Sequence, residues 1–293
     1  MAEKIGSLEF DIIGVDNLTE VTEATKKRIE GLVDATVKGG GKMDDALGKI
    51  KQEFTQTYGN NRKQLLDIYA KDKKLHEFKN LFDLNLYSFH NCSDYVVDYF
   101  ININPVKNTQ ILRYNNVSYT QCIKNMMDVL EENDCTHFFW SQDDTFSGDN
   151  DNVDFEELIS FFKNQSTDFM LSFCAGFFMY SRLKEQNKPT KMIQSFKNYN
   201  MYENFTTDFE HISNMDDSPY IATFDVVKQL YSNGFYFYND VWSAEAYLTR
   251  TFRVKTLPRN MLDRRFFQAY NLLGKNTWGK FIDADLLKKK GLL

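Results

Sequence analysis

Long apolar runs, an excess of basic residues and a leader-like start are all missing from this sequence. No apolar stretch in its 293 residues approaches the ~18 residues of a transmembrane helix, and the Met1 end has no apolar signal-peptide core. Lys and Arg number 35 against 41 Asp and Glu, and the formal net charge of -6 argues against a general nucleic-acid binder, because such a protein needs a basic face. We therefore expect no integral membrane segment and no nucleic-acid partner.

Cysteine is scarce as well. Cys92, Cys122, Cys135 and Cys174 show no Cys-x-x-Cys spacing, which argues against a structural zinc site and against a dithiol redox motif. Four cysteines in a chain of this length need no disulfide framework, so we expect reduced thiols and a cytoplasmic location.

The residues that are abundant are unevenly distributed along the chain. Hydrophobic residues make up 42% and charged residues 26% of the sequence, which is typical of a folded protein. Residues 1–79 hold 14 basic and 14 acidic residues and 8 of the 14 glycines, but only 5 of the 45 aromatic residues. This shift predicts a helical N-terminal extension over residues 1–79 and a second domain over residues 80–293.

The predicted extension contains a short strand-like stretch, Leu8–Ile13, followed by narrow apolar stripes at helical spacing. Their opposite faces are charged, and no cluster of ionisable groups suggests chemistry. We expect these helices to pack on the second domain, or to mediate self-association or partner docking.

The second part alternates strand-like with helix-like segments. The predicted strands are Leu84–Phe89, Gln110–Tyr114, Thr136–Trp140 and Phe169–Phe173, and the predicted helices are Asp94–Ile103, Tyr119–Glu132 and Phe155–Phe162. This alternation predicts an α/β fold with a mixed, mostly parallel sheet and helices on both faces.

Polar residues follow three of the predicted strands. They are Ser88 to Asn91, Arg113 to Asn116, and Gln142 to Asp144. Ligands of such sheets bind beyond the carboxyl ends of the strands, so these segments are expected to meet at one edge.

Asp143 and Asp144 come directly after a strand that is predicted to be buried. A carboxylate at such a place is costly to desolvate unless it is paired, hydrogen-bonded or bound to a metal. No basic residue lies nearby in sequence, and Mg²⁺ typically takes one or two carboxylates together with substrate phosphates. The pattern favours a divalent cation site; the alternative is a solvated turn that caps the next helix.

The stretch from Leu84 to Ser172 resembles the nucleotide-binding half of family 2-like GT-A glycosyltransferases, whose fold is Rossmann-like. The resemblance implies a nucleoside diphosphate sugar donor and a DxD-type motif at Gln142-Asp143-Asp144, where Gln142 replaces the first acid. It further implies that Asp144 and Asp143 hold Mn²⁺ or Mg²⁺. Donor contacts are implied for the polar residues at the three strand ends, namely Ser88, His90, Asn91, Arg113, Gln142 and Asp143.

A second motif, Trp242-Ser243-Ala244-Glu245, is similar to the acceptor-side Trp-x-x-Glu of many GT-A enzymes. The resemblance implies that Trp242 packs on a sugar and that Glu245 takes the proton from an acceptor hydroxyl in an inverting transfer, with Asp240 as the second choice of base. The alternative is structural: Asp240 caps a helix, Trp242 lies in the core, and Glu245 pairs with Arg250.

Two other functions stay open. A sugar nucleotidyltransferase would also use such a sheet, but it usually carries a Gly-rich phosphate loop near its first strand, and Ser88 to Asp94 contains no glycine. A non-catalytic, structural or adhesive virion protein is favoured by the start, Ile5 to Leu8 with Gly41 to Ala46, which is weakly similar to phage tail tape-measure proteins. That resemblance implies a viral or modular origin, and a viral origin would place the protein in the cytoplasm of an infected host cell.

Overall fold

The computed structural model describes residues 4–11, 65–142, 145–165, 168–173, 184–187, 191–203, 219–254, 260–269 and 284–292. Residues 65–71 are helical. The other elements in chain order are β1 (Lys4–Asp11), α1 (Lys73–Lys79), β2 (Leu84–His90), α2 (Asp94–Ile103), β3 (Thr109–Tyr114), α3 (Tyr119–Glu132), β4 (Cys135–Gln142), β5 (Thr145–Ser147), α4 (Phe155–Lys163), β6 (Met170–Ser172), β7 (Lys191–Ser195), β8 (Asn200–Glu203), β9 (Tyr220–Thr223), α5 (Phe224–Leu230), a 3₁₀ turn (Phe235–Phe237), α6 (Val241–Val254), β10 (Asn260–Leu262), β11 (Phe267–Ala269) and α7 (Ala284–Lys289).

Nine of the described strands form one sheet in the order β3-β2-β1-β4-β9-β6-β10-β8-β7. The first four are parallel neighbours, whereas β9 runs antiparallel to both β4 and β6. β6 and β10 run parallel to each other and hence in the direction of β1 to β4. The predicted α/β class with a mixed, mostly parallel sheet is confirmed.

Successive residues of the central strands pack against opposite helical layers. In β4, Phe138 and Trp140 belong to one buried cluster with α3, α5 and α6, while Phe139 belongs to another with α1, α2 and α4. All three side chains are fully buried. A strand buried on both faces reads as a continuous apolar run, which is the pattern that predicted this strand.

The helices begin where short polar side chains accept hydrogen bonds from the first turn. Ser118 accepts from Gln121 N at the start of α3, and Asp154 accepts from Glu157 N at the start of α4. None of the described helices is long and apolar enough to cross a bilayer.

The first 79 residues contribute a strand, β1, to the interior of the large sheet. The strand predicted over Leu8–Ile13 is Lys4–Asp11, and it lies in the middle of the sheet, where Leu8 pairs with Leu86 on one side and with Trp140 on the other. Residues 65–79 also join the core, through the buried Phe78 among others. β1 and residues 65–79 are thus parts of the sheet and of its core, although both precede residue 80. The helices predicted in residues 12–64 lie outside the described residues and stay a prediction.

A small second sheet follows β4. β5 pairs antiparallel with β11, and the next residue, Gly148, donates its N–H to Phe266 O at 2.7 Å. A Cβ atom at position 148 would lie 2.6 Å from Arg265 O, so the close approach of the two backbones requires glycine here.

Candidate functional site

The loops after β2 and β3 are joined at the carboxyl edge of the sheet. Asn91 N donates to Tyr114 O at 2.8 Å, and Asn116 N donates to the Asn91 side-chain oxygen at 2.9 Å. Asn91 and Asn116 both have positive φ, at 53° and 58°, a conformation that asparagine tolerates better than most residues. Two of the three polar segments predicted to meet at this edge therefore do so.

His90 connects the end of β2 to the start of α3. Its side chain is buried, with Nε2 2.6 Å from Val117 O and 3.4 Å from Asn91 Nδ2. A ring nitrogen that close to a carbonyl acts as the donor, so this nitrogen is engaged in holding the loop before α3.

Ser88 lies within strand β2, two residues before its end, and is buried. It is 1% exposed, inside the sheet between β1 and β3, and its hydroxyl has no hydrogen-bond partner among the residues that the structure describes. Residues alternate along a strand, so Ser88 and His90 face the same side as Leu86, the side that α3 covers.

Arg113 points to the other face of the sheet. It pairs in register with Phe89, which packs with α2, and its guanidinium lies 2.8 Å from the Asp94 carboxylate at the start of α2. The structure therefore does not bring Arg113 together with Ser88 and His90 on one face. Both partners of the Arg113–Asp94 pair are largely open to solvent, so the pair contributes little to stability.

β4 ends at this edge too, between β1 and β9. Gln142 N donates to Thr145 Oγ1 at 3.0 Å, so the end of β4 and the start of β5 contact each other. Asp143 and Asp144, the predicted metal ligands, lie outside the described residues. Among the residues that the structure does describe, no group of three or more His, Cys, Asp or Glu side chains is arranged to hold a metal ion.

The segment before α6 lies at the same edge. The Thr120 hydroxyl, in the first turn of α3, donates to Tyr238 O, and Tyr231 packs on Trp140 with ring centroids 6.2 Å apart. The first of these contacts places Tyr238 and the 3₁₀ turn before it beside the start of α3. The segment that precedes α6 and the loop after β3 are thus neighbours.

Asp240 caps α6. Its carboxylate accepts from Ser243 N at 2.8 Å, and hydrogen bonding to Ser243 lowers the pKa of Asp240 below its ordinary value. The capping alternative for Asp240 matches this geometry. The side chains of Trp242 and Glu245 lie outside the described part of α6, and their roles stay predictions.

Phe237 was missed by sequence reasoning. It is 82% exposed in the 3₁₀ turn, while its neighbour Phe235 is fully buried. Residues 235–238 are all aromatic, so their pattern gives no signal of which ring faces outward.

Two solved structures are distantly similar to this chain. No family model and no curated protein matches the chain. A crystal structure of HddC from Yersinia pseudotuberculosis is similar over 77% of this chain and 79% of its own, at 12% identity and a TM-score of 0.31. A UDP-glucose pyrophosphorylase complexed with UDP-glucose is similar over 89% and 90%, at 12% identity and a TM-score of 0.37.

Proposed function

We propose that the protein is a glycosyltransferase that moves a sugar from a nucleoside diphosphate donor to a hydroxyl of a glycan or related acceptor, assisted by Mn²⁺ or Mg²⁺. The observation that carries the proposal is the place where β4 ends. Only two residues, both aspartates, join Gln142 to Thr145, and consecutive Cα atoms are about 3.8 Å apart. This short connection supports the proposal that the two acids act at the edge that also holds the loops after β2 and β3.

Asp144, with Asp143, would hold the cation. Once bound, it would supply positive charge to the diphosphate oxygens and stabilise the departing nucleotide. The net charge of -6 makes such a cation useful, because both the protein and the donor are anionic.

The residues predicted to contact the donor differ in their positions in the structure. Asn91, just beyond the end of β2, and Gln142, at the end of β4 on the other side of β1, would contact the donor. Ser88 is buried, and Arg113 pairs with Asp94 on the opposite face of the sheet. The geometry of these two residues therefore favours donor contacts less than the positions of Asn91 and Gln142 do.

Acceptor chemistry is proposed for the segment around α6. Glu245 would take the acceptor proton while the hydroxyl oxygen bonds to the anomeric carbon and the bond to the diphosphate breaks, which inverts the configuration. Trp242 and the exposed Phe237 would offer ring faces to the acceptor.

A sugar nucleotidyltransferase is the second candidate, since the same edge of the sheet suits it. The structure identifies β1 as the first strand, so the expected Gly-rich loop belongs after Asp11. That stretch reads Ile12-Ile13-Gly14-Val15 with a single glycine, and the first basic residue after it is Lys26. The motif is missing after β1 as it is after β2.

The test is a thermal-shift and turnover screen of UDP-, GDP- and CDP-linked sugars with and without Mn²⁺. We expect one donor to raise Tm only with the cation, and Asp144→Asn to lower sugar transfer or donor hydrolysis at least ~100-fold. Asp128→Asn is the matched control, because Asp128 is a solvent-exposed acid on α3 that pairs with Lys124.

Three results would count against the proposal. Full activity of Asp144→Asn would reject the metal site. Release of pyrophosphate from a nucleoside triphosphate and a sugar phosphate would favour the nucleotidyltransferase. No stabilisation by any nucleotide would favour the non-catalytic virion protein.

A further inference from the structure

Helix α1 buries three ionisable side chains at helical spacing. Asp72, the residue that caps the helix, is followed by His76 four positions later and by Lys79 three positions after that. Residues at these spacings are neighbours on a helix surface. All three are buried, although Asp and Lys are rarely so unless they are paired. The partners of each group therefore decide what it can do.

Asp72 is satisfied as a carboxylate. Leu75 N donates to its Oδ1 at 3.1 Å and caps α1. Ser147 N donates to Oδ2 at 2.7 Å, and the Ser147 hydroxyl donates to Oδ1. Because Ser147 is the last residue of β5, these two bonds attach the start of α1 to the small sheet.

Lys79 lies between two tyrosine rings. Its Nζ is 5.4 Å from the ring centroid of Tyr69 and 5.0 Å from that of Tyr87 in β2. The faces of aromatic rings attract a cation at such distances. The hydroxyl groups of the two tyrosines are hydrogen-bonded to each other at 2.8 Å, so the rings that hold Lys79 also join residues 65–71 to β2.

His76 has a partner for one ring nitrogen only. It is 6% exposed, and its ring packs edge-on to Tyr69 with centroids 4.7 Å apart. The ring is hydrogen-bonded to the backbone of Tyr69, and because this bond favours the protonated ring, the ring is its donor. Nε2 has no partner among the residues that the structure describes, so Nδ1 makes the bond and Nε2 carries the lone pair of a neutral imidazole. A proton added at Nε2 would create a buried N–H without an acceptor.

The surroundings of His76 oppose a positive charge on its ring. Among the described residues, the titratable groups that face it are Asp72 and Lys79 on its own helix and Tyr69 on the helix before, with Tyr87 of β2 beyond Lys79. Burial is the largest effect and lowers the pKa of His76 from its ordinary value of 6.5. The attraction of Asp72 opposes this shift, and repulsion from Lys79 adds to it.

We propose that His76 is a pH sensor that couples the docking of α1 to the pH of the surroundings: a proton on Nε2 releases α1 from the core, and with it the bonds from Asp72 to β5. Above about pH 6.5 the docked and released helices bind the same number of protons at this ring, so docking is at full strength. Below it the released helix binds one more proton, and docking weakens by up to about tenfold per pH unit until the folded pKa is reached. This role is independent of the proposed sugar transfer, since it uses no donor, acceptor or cation.

Hydrogen exchange of the full chain at pH 7.5 and 5.5, corrected for the intrinsic rate at each pH, measures the release where it should occur. Over this range the protonated fraction of a solvated imidazole rises from about one tenth to about nine tenths. We therefore expect exchange of the amides of residues 73–82 and of Ser147 to rise about three- to tenfold. Amides of α3, on the other side of the sheet, should stay within about 1.5-fold, because their helix does not contain the sensor. An equal rise in α3 would mean a loss of stability of the whole fold and would overturn the release of α1.

His76→Phe removes the titrating group and keeps a ring against Tyr69. The Tyr69 carbonyl still accepts from Asp72 N at 2.9 Å, so this substitution leaves no buried acceptor without a donor. We expect exchange of residues 73–82 in this variant to be the same at both pH values. A rise as large as that of the unsubstituted protein would show that His76 is not the sensor.

His137→Gln is the matched control. His137 is also buried, but its Nε2 lies 2.8 Å from Gln165 O and its Nδ1 2.9 Å from Thr136 Oγ1, so both of its nitrogens have partners. This variant should keep the pH dependence of α1, and loss of that dependence would count against His76. Should His76→Phe yield no folded protein, His76→Asn decides in the same way, since asparagine keeps a donor near the place of Nδ1 and does not titrate.

Discussion

Asp240 shows how a single carboxylate can be assigned by its hydrogen bonds. It accepts from Ser243 N in the first turn of α6, and this bond stabilises the ionised form and lowers its pKa. A carboxylate whose pKa is lowered takes a proton less readily, which makes it a poorer general base. Capping and proton abstraction therefore compete at this residue, and the geometry favours capping.

Asp240→Ala is expected to lower the free energy of unfolding by about 1 kcal/mol at pH 7, the usual cost of losing an N-cap. Because the folded pKa lies below the unfolded one, this contribution is present at neutral pH and is lost as the pH falls below about 4. Urea unfolding at pH 7 and in acid measures the difference.

Asp240→Asn serves as the control, since asparagine caps a helix about as well. We expect it to keep transfer within about threefold, while Glu245→Gln loses ~100-fold or more. Loss of turnover in Asp240→Asn without loss of stability would instead make Asp240 the base.

Helix α1 illustrates how a short element is held by its neighbours. It has seven residues, too few to be stable alone. Phe78 anchors it: the ring is fully buried and lies edge-on to Phe82 and Phe139, each at a centroid distance of 5.0 Å. Phe267 of β11 lies 5.1 Å away, so the same ring links the helix to the small sheet.

Phe78→Ala should lower the free energy of unfolding by about 3–5 kcal/mol, because it removes a large buried side chain and leaves a cavity. Phe78→Leu should cost less, about 1–2 kcal/mol, since it fills part of that space. Phe237→Ala is the matched control: this ring is 82% exposed, and its loss should change stability by less than about 0.5 kcal/mol. Equal urea midpoints for Phe78→Ala and Phe237→Ala would contradict the described packing of α1.

The strands and helices between residues 84 and 142 could be predicted because each carries its own local signal. Helix Tyr119–Glu132 has the predicted bounds, and Thr136–Trp140 lies within β4. The side of the sheet on which Arg113 lies could also be predicted, because side chains alternate along each strand and paired residues such as Arg113 and Phe89 lie on the same side. The hydrogen bond from Ser147 N to the Asp72 carboxylate and the pairing of β1 with β2 could not be predicted, since each joins residues more than 70 positions apart in sequence.

The composition of residues 1–79 does not reveal the place of β1 for a related reason. An average over the segment is dominated by residues 12–64, and it hides a strand of eight residues whose partners are β2 and β4. A strand inside a sheet forms hydrogen bonds with two neighbours, so β1 contributes more to the stability of the sheet than an edge strand of the same length. A prediction from composition therefore does not register the pairing of β1 with β2 and β4.

A chain that starts at residue 80 tests this directly. It would lack β1, Phe78 and Asp72, so β2 and β4 would lose the strand between them and expose unpaired edges, which favour aggregation. We expect the shortened chain to show no cooperative thermal transition by circular dichroism and to elute as aggregate in size-exclusion chromatography. The full chain, carrying the same tag and prepared in the same way, should melt cooperatively. A cooperative transition of residues 80–293 at the Tm of the full chain would instead establish an independent domain there, and β1 would then be dispensable for the sheet.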